Sequence, residues 1–164
     1  MIKVGINGFG RIGRLILRAL LENYKGKIQV VGINDLGSIE ANAHLIKFDS
    51  THGTLNQEIK TSSEGFQIGD QNIKVFAERD PAKLPWGKIG ADVVLECTGF
   101  FLDKASAGNH INAGAKKVII SAPAKEVDFT VVQGVNSKDL KKKHNIISNG
   151  SCTTNCLAPV AMVL

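Results

Sequence analysis

The first third of the chain alternates between short apolar runs and a segment whose apolar residues recur every three or four positions. Ile2 to Asn7 is a β-type run, and a Gly-rich turn follows it. From Arg11 to Tyr24 the apolar residues fall at Ile12, Leu15, Ile16, Ala19 and Leu20, the spacing that lines one face of a helix. Ile28 to Asn34 is again continuous and apolar, and it ends at Asp35. Strand, turn, helix and strand in that order predict a βαβ unit with a right-handed crossover.

Farther along, Ser38 to Lys47 reads as a short helix with Ser38 as its N-cap. Asn56 to Ala77 instead alternates, breaks at Gly69-Asp70 and resumes at Ile73-Lys74-Val75-Phe76. That pattern predicts an antiparallel hairpin inserted at a sheet edge. Pro81, Pro85 and Gly87 mark a loop. Asp92 to Glu96 reads as a buried strand and Asp103 to Ala113 as a helix. Lys117 to Ser121 and Thr130 to Gly134 read as strands, Ser137 to His144 as a short basic helix, and Asn145 to Ser148 as a last strand. The alternation predicts an α/β, doubly wound Rossmann-type sheet, mostly parallel, with the hairpin near residues 56–77 as its antiparallel part.

Composition changes this picture little. A chain of 164 residues, 43% hydrophobic and 21% charged, suits one soluble domain. No stretch approaches the roughly 18 apolar residues of a membrane span. Met1 runs straight into a strand pattern without a signal segment, so a cytoplasmic location is expected. The net charge is +5, and part of it sits in Lys141-Lys142-Lys143, which reads as a solvated face rather than a nucleic-acid patch. A mild positive field also suits phosphorylated small molecules. The three cysteines, Cys97, Cys152 and Cys156, form no CxxC pair and have no histidines at ligand spacing. No metal site and no disulfide framework is expected, and a reactive thiol is worth seeking.

Two local patterns carry chemistry. Gly8-Phe9-Gly10-Arg11-Ile12-Gly13 is a GxGxxG placed after a strand and at the opening of a helix. Gly8 permits the tight turn, Gly10 lets a pyrophosphate approach the backbone, and Gly13 lets helix and strand pack closely. The free N–H groups near Arg11 and Ile12 then face the phosphates. Asp35 ends the next strand, 22 residues past Gly13, where a carboxylate accepts from the ribose hydroxyls and repels a 2′-phosphate. NAD is therefore expected over NADP. The second pattern, Ser148-Asn149-Gly150-Ser151-Cys152-Thr153-Thr154-Asn155-Cys156, leads from the last strand into an apolar terminal helix. A thiol at a helix N-terminus faces the positive end of the dipole, which makes Cys152 the candidate nucleophile. Cys156 and Cys97 read as small core residues. None of His44, His52, His110 and His144 reads as a base for Cys152; all four read as surface histidines. Pro159 interrupts the terminal helix and calls for a bend or a water.

These motifs, together with Ile33-Asn34-Asp35, Asp49-Ser50-Thr51-His52-Gly53, Glu78-Arg79-Asp80-Pro81 and Ser121-Ala122-Pro123, resemble the phosphorylating glyceraldehyde-3-phosphate dehydrogenases. The resemblance runs in order along the whole chain, and Ser151-Cys152-Thr153-Thr154-Asn155-Cys156 is its most specific part; Gly150 stands where the family usually has Ala. It implies that Arg11, Ile12 and Asp35 contact NAD, with Arg79 on the adenine side and Ser121 toward the nicotinamide. It implies further that Ser151, Cys152 and Thr153 surround a phosphorylated aldehyde. Cys152 then attacks it, hydride passes to NAD, and inorganic phosphate cleaves the acyl thioester. A homotetramer is also implied. By this resemblance residues 1–149 form the NAD-binding domain and 150–164 open a catalytic domain. The rest of that domain, with its activating histidine and substrate-phosphate residues, would lie beyond Leu164. Erythrose-4-phosphate dehydrogenase is similar throughout but tends to carry Glu at the ribose position, so Asp35-Leu36 leans away from it. A non-catalytic NAD-binding module that keeps the cysteine is the remaining alternative, and a histidine-bearing domain past Leu164 would separate it from an enzyme.

Overall fold

The computed structural model describes residues 1–164. The apolar runs and periodic segments become, in chain order, β1 (Ile2–Asn7), α1 (Arg11–Asn23), β2 (Ile28–Asn34) and α2 (Ile39–Lys47). Two small strands, β3 (Phe48–Asp49) and β4 (Gly53–Thr54), pair with each other, and β5 (Ile59–Ser62), β6 (Gly65–Ile68) and β7 (Gln71–Phe76) form a meander. The second half supplies β8 (Val93–Glu96), α3 (Lys104–Ala107), α4 (Asn109–Asn112), β9 (Lys117–Ile120), β10 (Phe129–Thr130), β11 (Ile146–Ser148) and α5 (Cys152–Val163).

The main sheet has nine strands in the order β10-β11-β9-β8-β1-β2-β7-β6-β5. Every pair from β10 to β7 is parallel, and β5 and β6 extend the sheet antiparallel at one edge. The meander is thus the expected insertion, with its last strand built into the parallel core against β2. Leaving aside β5, β6 and β10, the order follows the doubly wound pattern in which the chain builds outward from β1 on one side and then returns to the other. The reversal lies between β1 and β8.

Alternation along β1 divides the core between the two faces of the sheet. Val4 and Ile6 pack with Leu17 and Leu21 of α1, while Gly5 lies against Trp86. A Cβ at Gly5 would stand 2.6 Å from the Trp86 ring, so only glycine lets that indole reach the sheet. Each fully buried aliphatic side chain such as Ile6, Leu17 or Ile33 contributes about 1.5–3 kcal/mol. Arg18 is also buried, and it donates to the carbonyls of Ile46, Lys47 and Gly53, fixing the turn after α2. No helix is long and apolar enough to cross a membrane.

Three elements differ from the reading of the sequence. The strand expected over Thr130–Gly134 is only Phe129–Thr130, because the Asn136 side chain accepts from Val132 N and donates to Thr130 O, turning the chain away. The basic helix expected over Ser137–His144 is a single 3-10 turn at Ser137–Asp139. Its lysines have no apolar face to bury, and Lys117 Nζ draws the carbonyls of Lys142 and His144 out of helical bonding. The helix over Asp103–Ala113 is split at Gly108 into α3 and α4, with Asp103 capping the first by accepting from Ser106 N.

Candidate dinucleotide site

Because the central strands are parallel, their C-terminal ends share one edge of the sheet. That edge gathers Asn7, Asn34, Glu96, Ile120 and Ser148, followed by the Gly8 turn, Asp35, Cys97, Ser121 and the start of α5. A crevice of ≈ 510 Å³ opens there at the reversal between β1 and β8, within the size range of small-molecule sites. Of the residues singled out in the sequence, Gly8, Gly10, Asp35 and Arg79 line it, joined by Asn7, Asn34, Glu78, Cys97, Thr98 and Phe100.

The glycine turn is tightly packed. Gly8 has φ +89°, and a Cβ there would meet Thr98 N at 2.7 Å, so the turn presses against the end of β8. A Cβ on Gly13 would lie 2.2 Å from the Gly8 carbonyl oxygen, which fixes how closely α1 seats on the turn. Around Gly10 there is open space on the crevice side. The N-cap of α1 is Gly10, with no side-chain cap and no acid in the first turn. The backbone N–H groups of Arg11, Ile12 and Gly13 have no protein acceptor. A 13-residue helix therefore points unclaimed donors toward the turn, and a pyrophosphate can take them.

Asp35 has a second task that was not read from the sequence. One carboxylate oxygen accepts from Phe9 N at 2.8 Å and the other from Gly37 N at 2.8 Å, so the acid also ties the glycine turn to β2. Each oxygen keeps a free lone pair for a ribose hydroxyl. The Arg11 side chain does not enter the crevice. Its guanidinium pairs with Asp49 at 2.9 Å, leaving the backbone N–H as its contribution. The N–H groups of His52 and then Thr51, with smaller contributions from the His52 ring and Arg11, hold the Asp49 carboxyl below its ordinary range.

Cys152 opens α5 and is exposed. Ser151 is the N-cap: its hydroxyl accepts from Thr154 N at 2.9 Å and lies 2.8 Å from the Thr153 hydroxyl. Asn155 donates to the carbonyls of Asn149 and Ser151, holding the turn that leads from β11. The helix continues through Pro159 to Val163. Cys152 and Ser121 stand on the same sheet edge as the crevice but outside its lining. Burial pushes the Cys97 thiol up to about 12. Cys156, expected in the core, is exposed, because α5 buries none of its residues against the sheet. Iodoacetamide near neutral pH should therefore modify Cys152 fastest and Cys97 slowest, as peptide mapping would show. Cys97 labelling first would contradict this order.

His110 corrects another expectation. It is fully buried rather than on the surface, where it bonds Glu96 and Trp86. Glu96, also buried, escaped the sequence reading. The available signal was a carboxylate closing an otherwise apolar strand, as Asn7 and Asn34 close β1 and β2.

Residues 2–104 match the family model described as "Glyceraldehyde 3-phosphate dehydrogenase, NAD binding domain". The chain belongs to the glyceraldehyde-3-phosphate dehydrogenase family. It is 54% identical over 163 residues to the glyceraldehyde-3-phosphate dehydrogenase of Xanthobacter flavus, covering 99% of this chain and 49% of that protein. It is 57% identical over 164 residues to the enzyme of Zymomonas mobilis, covering 99% and 49%, and 56% identical over 164 residues to that of Clostridium pasteurianum, covering 100% and 48%. The chain thus spans about half the length of the curated relatives it matches. Its cofactor is NAD, as the matched domain is the family's NAD-binding domain, and the unclaimed helix donors and open Gly10 cradle fit that dinucleotide.

Proposed function

We propose that this chain is the NAD-binding half, with the nucleophile helix, of an enzyme that oxidises and phosphorylates D-glyceraldehyde 3-phosphate to 1,3-bisphosphoglycerate. The observation that carries the reading is the shared edge of the sheet, which gathers the glycine turn, Asp35 and an exposed Cys152 at a helix N-terminus. Gly8, Gly10, Gly13 and the backbone of Arg11 and Ile12 hold the pyrophosphate, Asp35 holds the adenosine ribose, and Arg79 lies on the adenine side. Ser121 stands toward the nicotinamide, beyond Cys97 on the neighbouring strand.

Bound NAD supplies the hydride acceptor. In the chain's own chemistry, the Cys152 sulfur adds to the aldehyde carbon and gives a hemithioacetal, with Ser151 and Thr153 beside it. Loss of hydride from that carbon to the cofactor, and of the hydroxyl proton to solvent, leaves an acyl thioester. Inorganic phosphate then displaces the Cys152 sulfur, releasing the acyl phosphate and restoring the thiolate. Residues 1–149 form the NAD domain in this reading, and 150–164 open the catalytic one. The exposed apolar face of α5, with Leu157, Val160 and Val163, is where the remainder of a full-length relative would pack. A cytoplasmic homotetramer is the assembly proposed for the whole protein.

Asp35 tests the cofactor assignment. Asp35→Gly removes the ribose acceptor together with the repulsion toward a 2′-phosphate. NAD affinity should fall by about 1–3 kcal/mol while NADP affinity holds or rises. Part of the NAD loss will come from the released Phe9 N–H, which both cofactors feel equally, so the ratio of the two affinities is the informative quantity. Equal weakening of NAD and NADP in calorimetric titrations would reduce Asp35 to a brace for the turn.

A further inference from the structure

Beneath the crevice, a line of polar contacts ties together the loops that bound it. The loop after β7 is held at Glu78, whose carbonyl accepts from Asn34 Nδ2 at 2.8 Å and whose N–H donates to Asn34 Oδ1 at 2.8 Å. Asn34 Nδ2 also donates to Asn7 Oδ1 at 2.7 Å, and Asn7 Nδ2 donates to Glu96 Oε2 at 2.6 Å. The loop after β8 is held at Thr98, whose N–H donates to Glu96 Oε1 at 2.7 Å, as does its hydroxyl. Phe100 N donates to that hydroxyl at 3.1 Å. Asn7, Asn34 and Glu96 are all buried.

His110 supplies the last donor, and its tautomer follows from its partners. Trp86 Nε1 lies 3.0 Å from His110 Nδ1, and an indole can only donate, so Nδ1 must accept. The ring proton is therefore on Nε2, 2.9 Å from Glu96 Oε2, in a neutral imidazole. Each Glu96 oxygen thus receives two donors, the full capacity of a carboxylate, and no cation is among them. A buried carboxylate satisfied only by neutral donors costs free energy to maintain, and an apolar residue would serve packing better.

Both loops line the crevice that holds Asp35 and Leu36, and Ser121 and Cys152 lie outside that lining. In a doubly wound sheet the carboxylate after β2 marks the adenosine half of the dinucleotide, so the loop after β8 is a second wall of that half. Thr98 turns its N–H and hydroxyl to Glu96, and the loop presents the exposed Phe100 ring, which suits a base rather than a phosphate. We infer that Glu96 is a positioning residue for the adenosine half of the cofactor. Its carboxylate sets where the Thr98–Phe100 wall stands relative to Asp35, and His110 fixes the carboxylate. The inference rests on the crevice being the NAD site. The two walls are braced differently: the loop after β7 has its own reciprocal pair with Asn34, whereas the Thr98–Phe100 segment bonds the floor through Glu96.

The test measures NAD and AMP, which occupies only the adenosine half, by calorimetry on the 164-residue chain. Glu96→Gln puts an amide N–H₂ where a carboxylate accepted two donors. It should weaken AMP and NAD by a common factor of about ten- to a hundred-fold, the effect of losing a charge-assisted bond. Thr98→Val should weaken both by about two- to tenfold. Added to Glu96→Gln it should cost no more than about a further twofold, because the hydroxyl has already lost its acceptor. His110→Phe, which removes the Nε2 donor, should weaken AMP and NAD together. His110→Gln, which can still donate to Glu96, should recover most of the affinity, so this pair carries the test even where Glu96→Gln fails to fold. Losses that multiply in the double variant, NAD weakened while AMP holds, or His110→Gln as weak as His110→Phe would each overturn the positioning role, as would unchanged AMP affinity throughout. Wild-type NAD binding that Asp35→Gly leaves unaltered would instead remove the crevice assignment, and this inference with it.

Discussion

Gly13→Ala should both destabilise the chain and abolish NAD binding at cofactor concentrations that saturate the wild type. Two effects oppose each other at this position, and their sizes decide the outcome. Alanine is the better helix former and by itself stabilises an exposed helix interior by about 0.5–1 kcal/mol. Gly13 is buried in the first turn of α1, and a Cβ would stand 2.2 Å from the Gly8 carbonyl oxygen and 3.2 Å from Ile6 Cγ2. The Gly8 oxygen is backbone, held by a turn that itself presses on β8, so neither side can yield cheaply. Overpacking of this kind costs about 1–3 kcal/mol and more where backbone must move. The clash wins. Relief comes by lifting α1 off the turn, which moves the free N–H groups of Arg11 and Ile12 away from the phosphate position. Urea unfolding should show a lower midpoint at unchanged slope. A variant as stable as the wild type with undiminished NAD binding would mean that the seating of α1 is not what shapes the site.

The 164-residue chain should also give no measurable NADH with glyceraldehyde 3-phosphate, phosphate and NAD together. All four histidines are engaged elsewhere. His110 is buried with Glu96 and Trp86, His52 bonds Asp49, His144 accepts from Lys141 N, and His44 packs on Phe48. None bonds Cys152. A positioned general base contributes about 10²–10⁴-fold, and its absence alone takes turnover far down. Binding that orients the aldehyde contributes several kcal/mol more, on the order of 7–11 kcal/mol in favourable cases. Arg79 is the one basic side chain that lines the crevice, and Cys152 stands outside that lining. The two losses act on one step and will not add in full. NADH formation that Cys152→Ser abolishes would show the chain to be self-sufficient and the proposed division of labour wrong.

The parts of this molecule that were legible in the sequence are those whose signals are local. The apolar runs at Ile2 and Ile28, the periodicity after Arg11 and the Ser38 cap each depend on neighbours a few residues away, and they stand where the pattern puts them. The glycine turn was legible for the same reason. What escaped depends on contacts across the fold. His110 sits in an unremarkable polar segment until Trp86 and Glu96, 24 and 14 residues away, close around it. Cys156 looks like a core residue because its helix is apolar, but α5 lies off the sheet with its apolar side uncovered. The basic run after Ser137 lost its helix to Lys117, a residue from another strand. Asp35 was read for its ligand and not for its hold on Phe9, since a carboxylate at a strand end gives no sign of which backbone amide comes back to meet it.

The central claim is that the crevice between the ends of β1, β2 and β8 is a working NAD site within this chain. Calorimetric titration of the purified 164-residue chain with NAD, alongside Gly13→Ala, addresses it most directly. The structure predicts one NAD per chain, competed by AMP and lost in the variant. No heat of binding from a chain that still unfolds cooperatively, or binding that Gly13→Ala leaves intact, would contradict it.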